Sequence, residues 1–309
     1  MIKKLSVSYA PSGREEEVRN IIINDLKDFY LDIKTDNLGN LIVHKKGKSR
    51  TIAITAPMDE VGFLVTHVDD DNILNTASIG TVNSNTLHSI LLKDCNGNLY
   101  INADSDDFTE NSSKITNFKL MDLNGCNAEK LYNDFTGNTL VFNDDFRETE
   151  QYFVGKALER SVSCKILCDI ARMVSDSMYE YYFVFSAQNY CDKKGAQTAL
   201  YDVKIDELYN ICGINSDADV KFQNGPYVIL RDKNFISSEI VNNYPEFNKF
   251  SKVVTDKLVC EAGFWQRNHK ISNVAALAVP ILNLYTSNEV VNKDDVKVLT
   301  DALAKVVLP

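Results

Sequence analysis

The sequence predicts an α/β protein in which helices flank a mainly parallel sheet and a small all-β domain is inserted. Helical and strand-like segments alternate before residue 69 and again after residue 152, which is typical of a parallel sheet. Several strand-like runs are almost continuously apolar, as strands buried on both faces are. Between these regions, short alternating runs are interrupted by asparagine, aspartate and serine, which indicates a separate β domain.

The N-terminal region combines one predicted helix with three strands. Ser12 and Glu15 have the spacing of a capping box, and apolar residues then recur at helical intervals, which predicts a helix over 12–29. The turn DNLGN at 36–40 ends this unit. The runs LIVHKK, TIAITA and EVGFLVTHV follow, and we expect them to form the centre of the sheet.

Residues 69–151 are expected to form the inserted β domain, so that 1–68 and 152–309 make up the α/β domain. The strand-like runs of the insert are HSILLKD, NLYINAD, NFKLMDL and NTLVFND. Its acidic cluster lacks the glycine and the terminal glutamate of a calcium loop, so we interpret the cluster as a solvated turn. The cluster consists of Asp104, Asp106, Asp107 and Glu110.

Helix and strand alternate again in the C-terminal region. The predicted elements are a helix over ALERSVSCKILCDIARMV, the strand YYFVFSA, the helix GAQTALY, the strand YNICGI, a helix over 245–262, the strand AVPILNLY and a helix over 293–307. Ligands of open α/β sheets bind beyond the carboxyl ends of the strands. The candidate site therefore comprises the strand ends APMDE, SAQNY, CGINSDAD and LYTSNE.

Composition and charge exclude several classes of protein. A chain that is 44% hydrophobic and 25% charged is typical of a packed globular protein. A net charge of -10 would repel nucleic acid and anionic membranes, and NVAALAVPILNLY is too short to span a bilayer. We therefore expect neither partner. Seven cysteines without a C-x-x-C pair, Cys164 and Cys168 among them, are interpreted as reduced thiols, which predicts a cytoplasmic protein.

Nine short motifs carry a resemblance to a known family. They are SGREEEV, DNLGN, PMDEVGF, THVDDD, GKALERS, FVFSAQ, KKGAQTA, CEAG and TSNEVV. In this order, the chain resembles the dinuclear metal-dependent aminopeptidases that include glutamyl aminopeptidase, the deblocking aminopeptidases and the cellulase-M-like proteins. The likeness covers nearly all 309 residues. It implies a zinc-peptidase-like sheet, two divalent metals such as zinc or cobalt, and homo-oligomers assembled through the insert and neighbouring surfaces.

The resemblance also shows which parts of the family's site are missing. Family members have a histidine ligand two residues before Asp59, where this chain has Pro57, which has no side-chain donor atom. The general base and an adjacent metal ligand, both glutamates in the family, correspond to Asn189 and Tyr190. An amide is not basic enough to take a proton from water, and a neutral phenol is a poor ligand for a hard divalent ion. Asp59, which orients the missing histidine in the family, is interpreted as a strand-end cap.

The positions of the family's other carboxylate ligands are only partly acidic. Glu159 corresponds to the carboxylate that bridges the two metals. The next aspartate falls on Cys212 or, with a small insertion, on Asn215. Asp217 and Asp219 lie close enough in sequence to keep this correspondence open.

The comparison with the family is completed by its last metal ligand and by the four histidines of this chain. The family's final histidine falls on Tyr285, and Glu261 replaces an aspartate. The four histidines of the chain show no spacing that would place two imidazoles on one face of an element. They are His44, His67, His88 and His269. No replacement metal cluster is indicated.

Two main hypotheses follow. In the first, the chain is an inactive relative of the aminopeptidases, with no metal and with degenerate positions at Asp59 and Asn189, that binds a peptide or completes an assembly, either alone or with an active relative. Its expected pocket residues are Pro57, Glu159, Tyr190, Cys212, Asn215, Glu261 and Tyr285. In the second, a hydrolase, still an aminopeptidase in one version, uses a rebuilt site, drawn from Glu159, Cys212, Asp217, Asp219 and Glu261.

A third reading, a storage or structural protein, needs no pocket. The state of the pocket behind Pro57 separates these readings. An open, polar cavity favours binding, whereas filling by Tyr190, Tyr285 and Trp265 favours a scaffold.

Overall fold

Two β-sheets organise the protein, and helices cover both faces of the larger sheet. The computed structural model describes residues 1–29, 31–68, 73–82, 90–101, 116–119 and 135–308. No helix within these ranges is both long enough and apolar enough to cross a membrane.

The described elements alternate as follows. The helices are α1 (Ile2–Val7), α2 (Glu16–Leu26), α3 (Leu158–Met173), α4 (Lys194–Thr198), α5 (Ala262–Trp265) and α6 (Lys293–Val307). The strands up to the end of the insert are β1 (Asp32–Thr35), β2 (Leu41–Lys45), β3 (Thr51–Pro57), β4 (Gly62–Val68), β5 (Ile73–Ile79), β6 (Leu91–Lys93), β7 (Leu99–Ile101), β8 (Thr116–Lys119), β9 (Thr139–Phe142) and β10 (Arg147–Glu148). The later strands are β11 (Tyr152–Gly155), β12 (Glu180–Ser186), β13 (Glu207–Asn215), β14 (Tyr227–Arg231), β15 (Ser251–Val254), β16 (Val274–Leu282) and β17 (Glu289–Asn292).

The larger sheet has a parallel centre and antiparallel edges. Its strand order is β1-β2-β12-β3-β13-β16-β17-β11-β10, and β14 joins β16 and β15 at one side. The four strands β12, β3, β13 and β16 run parallel to one another. The predicted α/β class, with a helix-flanked sheet, is confirmed.

Both faces of the parallel centre are buried, which explains its continuously apolar strands. On β13, Tyr209 and Ile211 face a core shared with α1, α2, α3 and α6. Leu208 and Cys212 face a second core shared with α4 and α5. Because alternate residues of a strand point to opposite faces, most positions of these strands are apolar, and a buried polar residue such as Asn210 is hydrogen-bonded.

The smaller sheet contains β5 to β9 of the predicted insert and also β4, whereas β10 of the predicted insert pairs with β11 in the larger sheet. Its order is β7-β6-β9-β4-β5-β8. The expectation that β4 lies at the centre of the larger sheet is therefore wrong. Phe63 and Val65 of β4 are buried while Leu64 is 37% exposed. This strand therefore has the alternation of a sheet with one buried and one solvent-exposed face. The limits of the insert at 69 and 151 stay a prediction.

The N-terminal helix begins later than predicted. α2 starts at Glu16 with Glu15 at its N-cap position, but the N-cap side chain makes no capping hydrogen bond. The hydroxyl of Ser12 donates to the carboxylate of Asp59. Glu15 Oε1 accepts hydrogen bonds from Gly13 N at 2.6 Å and from Gln188 N at 2.9 Å. Tertiary contacts thus take both side chains away from the helix end.

The helix predicted over 245–262 is wrong. A 3-10 turn, Phe247–Lys249, is followed by the edge strand β15. Phe247 and Phe250 pack into the first core from the turn, whereas Val253 packs into the second core from the strand. The β-branched pair Val253 and Val254 favours the extended backbone over the helix that the apolar spacing indicated.

A buried ion network fixes the first residues of the chain. Lys156 Nζ lies 2.8 Å from Glu60 Oε2, and Arg160 Nη2 lies 3.2 Å from Glu60 Oε1. The two cations also donate to the carbonyl oxygens of Leu5 and Ser8, at 2.8 to 3.0 Å. All three charged side chains are at most 3% exposed, so their mutual pairing is essential to their burial.

Candidate functional site

The parallel strands end at one edge, and the loops that follow them build the candidate site. Pro57 and Ser186, the last residues of β3 and β12, are register partners. The end of β13 is joined to the start of α3, because Gly213 N donates to Glu159 Oε1 at 3.2 Å. The carboxyl ends of the strands therefore surround Glu159, as expected for an α/β fold.

Glu159 is a buried carboxylate held by neutral donors. It is 5% exposed, and its Oε2 accepts a 2.6 Å hydrogen bond from the hydroxyl of Tyr190. Burial raises the pKa of Glu159, whereas the hydrogen bond from Tyr190 and the charge of Lys193 lower it. Burial also raises the pKa of the Tyr190 phenol well above its usual value. Tyr190 therefore keeps its proton and donates a hydrogen bond to the carboxylate.

Two tyrosine rings cover Glu159 on its outer side. The rings of Tyr190 and Tyr285 meet edge to face with centroids 5.5 Å apart. Lys193 Nζ lies 5.4 Å from the centroid of Tyr190, within the range of a cation–π contact. Gly80 leaves room for the ring of Tyr190, because a Cβ there would lie 2.8 Å from Tyr190 Cδ1.

Asp59 holds the backbone of the tyrosine loop. Its Oδ2 accepts from the hydroxyl of Ser12 and from Tyr190 N at 3.0 Å, while its Oδ1 has no partner among the residues that the structure describes. Burial raises the pKa of Asp59 to about 7, against the hydrogen bond from Ser12, which lowers it. Asp59 therefore links the N-terminal segment to Tyr190, which is a different role from the predicted strand-end cap.

Glu289 fixes the other tyrosine and the start of α3. Its Oε1 accepts from Tyr285 N at 2.8 Å, and its Oε2 accepts from Leu158 N at 2.6 Å and from Glu159 N at 3.3 Å. A carboxylate at this place satisfies free N–H groups of a helix N-terminus. Burial raises the pKa of Glu289 to about 8.

Pro57 and Glu261 lie deeper in the molecule. Pro57 is buried, and its carbonyl oxygen accepts from Cys164 Sγ at 3.4 Å. Glu261 accepts from the hydroxyl of Ser186 and, at 3.4 Å, from Asn210 Nδ2. Burial raises the pKa of Glu261 to about 7. Its two oxygens are therefore occupied by side chains of the sheet.

The groups of the rebuilt-site hypothesis do not all converge: Glu159, Cys212 and Glu261 lie close enough to interact electrostatically, whereas Asp217 and Asp219 lie apart. The thiol of Cys212 is buried in the second core, and burial raises its pKa well above the usual value, which disfavours the reactive thiolate. Asp217 lies 2.9 Å and Asp219 lies 3.7 Å from Lys257 Nζ in surface ion pairs. No described contact joins them to Glu159, so this hypothesis gains no support.

Two adjoining cavities lie outside the tyrosine pair. The first, of about 370 Å³, is lined by apolar residues such as Ile214 and Val253 and by the polar strand end at Asn215. The second, of about 380 Å³, is lined by Asn189, Tyr190 and Lys193. Tyr285, Thr81, Lys257 and Leu258 line both cavities.

The cavities lie beyond the position that the metals would take in the family. Pro57, Glu159, Cys212 and Glu261 line neither of the two. Trp265 is fully buried in the second core and lines neither as well. The inner position is therefore filled by tyrosine rings, and an open cleft remains in front of them.

The loops around the site have a strained backbone. Eight described non-glycine residues have a positive φ, and only Leu200 and Gln223 of these lie away from the site. The six that flank the site are Ala157, Gln188, Asp192, Lys193, Asn283 and Tyr285. Such residues cost about 1 to 3 kcal/mol each and persist where the surroundings impose them. Here Asp59, Glu15 and Glu289 hold these loops by hydrogen bonds to backbone N–H groups.

The donors around Glu159 do not fit a dinuclear metal site. The one carboxylate at the inner position already accepts from Tyr190 and Gly213, and the neighbouring phenols keep their protons. In the described part of the chain, no three side chains of histidine, cysteine, aspartate or glutamate group as metal ligands would. A hard divalent cation needs several oxygen or nitrogen donors that are free to coordinate it.

Sequence reasoning placed some site residues together and missed others. Glu159, Tyr190 and Tyr285 lie in one cluster, whereas Asn215 lies at the rim and accepts from Leu284 N at 3.3 Å. The roles of Ser12, Gly80, Lys193 and Glu289 were missed. The sequence contained a signal for Glu289. It lies four residues after Tyr285, at a distance from which its carboxylate can accept a hydrogen bond from the backbone of the loop that carries Tyr285.

Comparisons with known proteins agree with this architecture. Residues 39–301 match the family described as M42 glutamyl aminopeptidase. A protein of Acetivibrio thermocellus, provisionally assigned as an aminopeptidase, is 27% identical over 284 residues, which are 85% of this chain and 82% of that protein.

Solved structures share the fold. An aminopeptidase of the archaeon Desulfurococcus kamchatkensis superimposes with a TM-score of 0.86 at 21% identity, covering 99% of this chain and 93% of the other. The TET1 peptidase of Pyrococcus horikoshii, described as assembling into a tetrahedron or a large octahedral shell, gives 0.82 at 22% identity, with 99% and 98% covered.

Proposed function

Because the chain belongs to the M42 glutamyl aminopeptidase family, we propose that it is an inactive member that binds peptides without cleaving them. The observation that carries this proposal is the 2.6 Å hydrogen bond from Tyr190 to Glu159. A phenol occupies the side of the carboxylate that would face a cation. We propose that the protein holds no catalytic metal.

The side chain at the position of the general base supports the same conclusion. Asn189 cannot accept a proton from water at neutral pH. Loss of a general base costs on the order of 10² to 10⁴ in rate, and water without a metal keeps a pKa of about 15.7 instead of about 7. The two losses together leave no group that activates water at this place.

The replacements also relieve an electrostatic problem. Several unpaired buried carboxylates without a cation would cost several kcal/mol each. Pro57, Asn189, Tyr190 and Tyr285 are neutral, and the remaining Glu159 is hydrogen-bonded. The site is thus stable without a metal, which favours retention of the fold for a purpose other than catalysis.

The open cleft favours binding over a purely structural role. The two adjoining cavities have the size of small-molecule sites, and their walls combine apolar and polar residues. The strained loops that surround them have no use in a scaffold, where relaxed backbone would be more stable.

We further propose that the chain forms a homo-oligomer and acts in the cytoplasm. The similar solved structures include a TET1 peptidase described as assembling into a tetrahedron or a large octahedral shell and a TET1 structure described as a dodecamer. Assembly with an active relative is a second form that this proposal includes. Light scattering of the purified chain, alone and mixed with such a relative, measures both.

The proposed inactivity is tested by metal analysis and by turnover. The purified protein is assayed for bound metal and then against a panel of aminoacyl substrates with added zinc, cobalt or manganese, beside an active member of the family as positive control. We expect substoichiometric metal and no saturable turnover, while calorimetry detects peptide binding. Stoichiometric metal together with saturable hydrolysis would overturn the proposal.

A further inference from the structure

The second cavity is lined by a side-chain amide that has no partner among the described residues. Asn189 is only 4% exposed and lines this cavity, yet its side-chain amide makes no hydrogen bond within the described chain. Its backbone is fixed, because Lys193 N donates to Asn189 O at 3.1 Å. Because both the donor and the acceptor of this amide lack a partner in the described chain, a ligand in the cavity that offers an acceptor and a donor would be bound favourably here. A peptide group offers both.

The same cavity is basic, although the whole chain carries a charge of -10. The described residues that line it include three lysines, Lys193, Lys233 and Lys257, and one carboxylate, Asp192. Lys257 is already paired with Asp217 at 2.9 Å. In the part of the chain that the structure describes, neither Lys193 nor Lys233 lies within 4.0 Å of a carboxylate. Two cations are therefore available to an anionic group.

Apart from Asp192, which lines the cavity, the carboxylates nearby are not available to an ammonium group. Glu159 lies behind Tyr190 and accepts a hydrogen bond from its hydroxyl. Asp59 accepts hydrogen bonds from the hydroxyl of Ser12 and from the backbone N–H of Tyr190. The N-terminal ammonium that an aminopeptidase selects would meet three lysines in this cavity, and Asp192 is the only acidic residue among the described residues that line it.

We infer that the cavity binds a peptide through an amide group on Asn189 and a carboxylate on Lys193 or Lys233, without selecting the N-terminal ammonium. This inference rests on the proposed peptide binding and names the part of the peptide that is recognised. The carboxylate belongs either to the C-terminus or to an acidic side chain, which present the same chemistry to a lysine.

Four synthetic peptides distinguish these ends by calorimetry. They are tetra-alanine with both ends free, its N-acetylated form, its C-terminal amide, and an amidated form with one glutamate. We expect acetylation to leave Kd unchanged within about twofold and amidation to weaken binding about tenfold or more, as loss of a charged hydrogen bond does. If the amidated peptide with glutamate regains the affinity of the free peptide, the recognised carboxylate is that of a side chain. If it does not, the recognised carboxylate is that of the C-terminus.

Variants of the cavity provide the second arm of the test. Lys193→Gln combined with Lys233→Gln should weaken binding of the free peptide about tenfold or more, and Asn189→Leu should weaken binding of all four peptides. Lys194→Gln is the matched control, because Lys194 is an exposed neighbour that does not line the cavity. Thermal unfolding of each variant verifies that it is folded.

The outcomes separate the two proposals. Binding that is lost on acetylation and unaffected by amidation would overturn this inference and leave the proposed peptide binding intact. Equal affinity of the double lysine variant and the parent chain would overturn it as well. No binding of any peptide would overturn both.

Discussion

The hydroxyl of Tyr190 donates a 2.6 Å hydrogen bond to Glu159 and thereby joins the loop after β12 to the first turn of α3. The same loop is held from the other side, because Tyr190 N donates to Asp59. A single tyrosine thus connects two acidic residues that come from separate parts of the sequence. Its removal should affect both stability and the shape of the cleft.

Tyr190→Phe should lower the free energy of unfolding by about 1 to 3 kcal/mol, because a buried carboxylate loses its charge-assisted donor. Urea denaturation at pH 7 measures this difference. Tyr201→Phe is the control, since Tyr201 is 60% exposed and should change stability by less than about 0.5 kcal/mol. Equal effects of the two substitutions would contradict the importance of the contact.

Gly80→Ala should be more destabilising than Gly97→Ala. Both glycines have a similar positive φ, +79° and +82°, so the backbone strain of an alanine is about 1 kcal/mol at each. A Cβ at Gly80 would also lie 2.8 Å from Tyr190 Cδ1, whereas nothing lies within 4 Å at Gly97. Overpacking should add about 1 to 3 kcal/mol at Gly80 alone, measured as the difference between the two urea midpoints. Identical midpoints would show that the ring can move aside without cost.

Glu60→Gln should destabilise the protein by about 3 to 5 kcal/mol, because it leaves Lys156 and Arg160 buried without their shared anion. Asp202→Asn removes the exposed ion pair with Lys270 and should cost less than about 1 kcal/mol. Thermal and urea unfolding of the two variants measure the contrast. A small effect of Glu60→Gln would mean that the buried cations find water or other partners.

Stability should fall as the pH rises from about 4.5 to about 8. Burial raises the pKa of Asp59 and of Glu261 to about 7 and that of Glu289 to about 8. Because the folded chain then binds more protons than the unfolded chain, the stabilisation is complete below the ordinary carboxyl pKa and is lost as the pH passes the raised values. Urea midpoints at pH 5, 6, 7 and 8 measure the slope.

A variant and a second titration define this pH effect. Glu261→Gln should remove part of the slope, by roughly 1.4 kcal/mol for each unit of pKa difference. Burial lowers the pKa of Lys156 to about 8. Its contribution to stability therefore rises with pH, and it does so only above about pH 8. Stability that rises between pH 5 and pH 8 would contradict the raised pKa values.

The strands of the parallel centre could be predicted from the sequence because their physical signal is local. TIAITA and YYFVF are apolar at successive positions, and the structure buries both faces of β3 and β12. α6 matched its prediction because Asn292 caps it with its own side chain, accepting from Asp294 N and Asp295 N.

The errors come from residues whose partners are distant in sequence. Ser12 and Glu15 have the pattern of a cap, yet their hydrogen bonds go to Asp59 and to Gln188, which is 173 residues away from Glu15. Phe247 and Phe250 have helical spacing, but the edge of the sheet imposes an extended chain after them. Local patterns cannot show such competition.

The sequence could predict which residues replace the family's metal ligands, but it could not predict how these residues contact one another. A tyrosine at position 190 and another at 285 indicate the loss of metal ligands, but the sequence gives no sign that one phenol reaches Glu159 while Glu289 holds the other loop. The unpartnered amide of Asn189 likewise depends on which neighbours approach it in space.

The position of β3 between β12 and β13 has a consequence for biosynthesis. Both neighbours are encoded more than 120 residues after it, as the pairs Glu180 with Thr51 and Glu207 with Ile52 show. A nascent chain therefore carries this apolar strand without either neighbour until residue 186 has left the ribosome, and without the second until residue 215 has, while β4 and β5 can already form their hairpin. During translation the exposed segment 52–57 is accordingly where we expect a chaperone to bind.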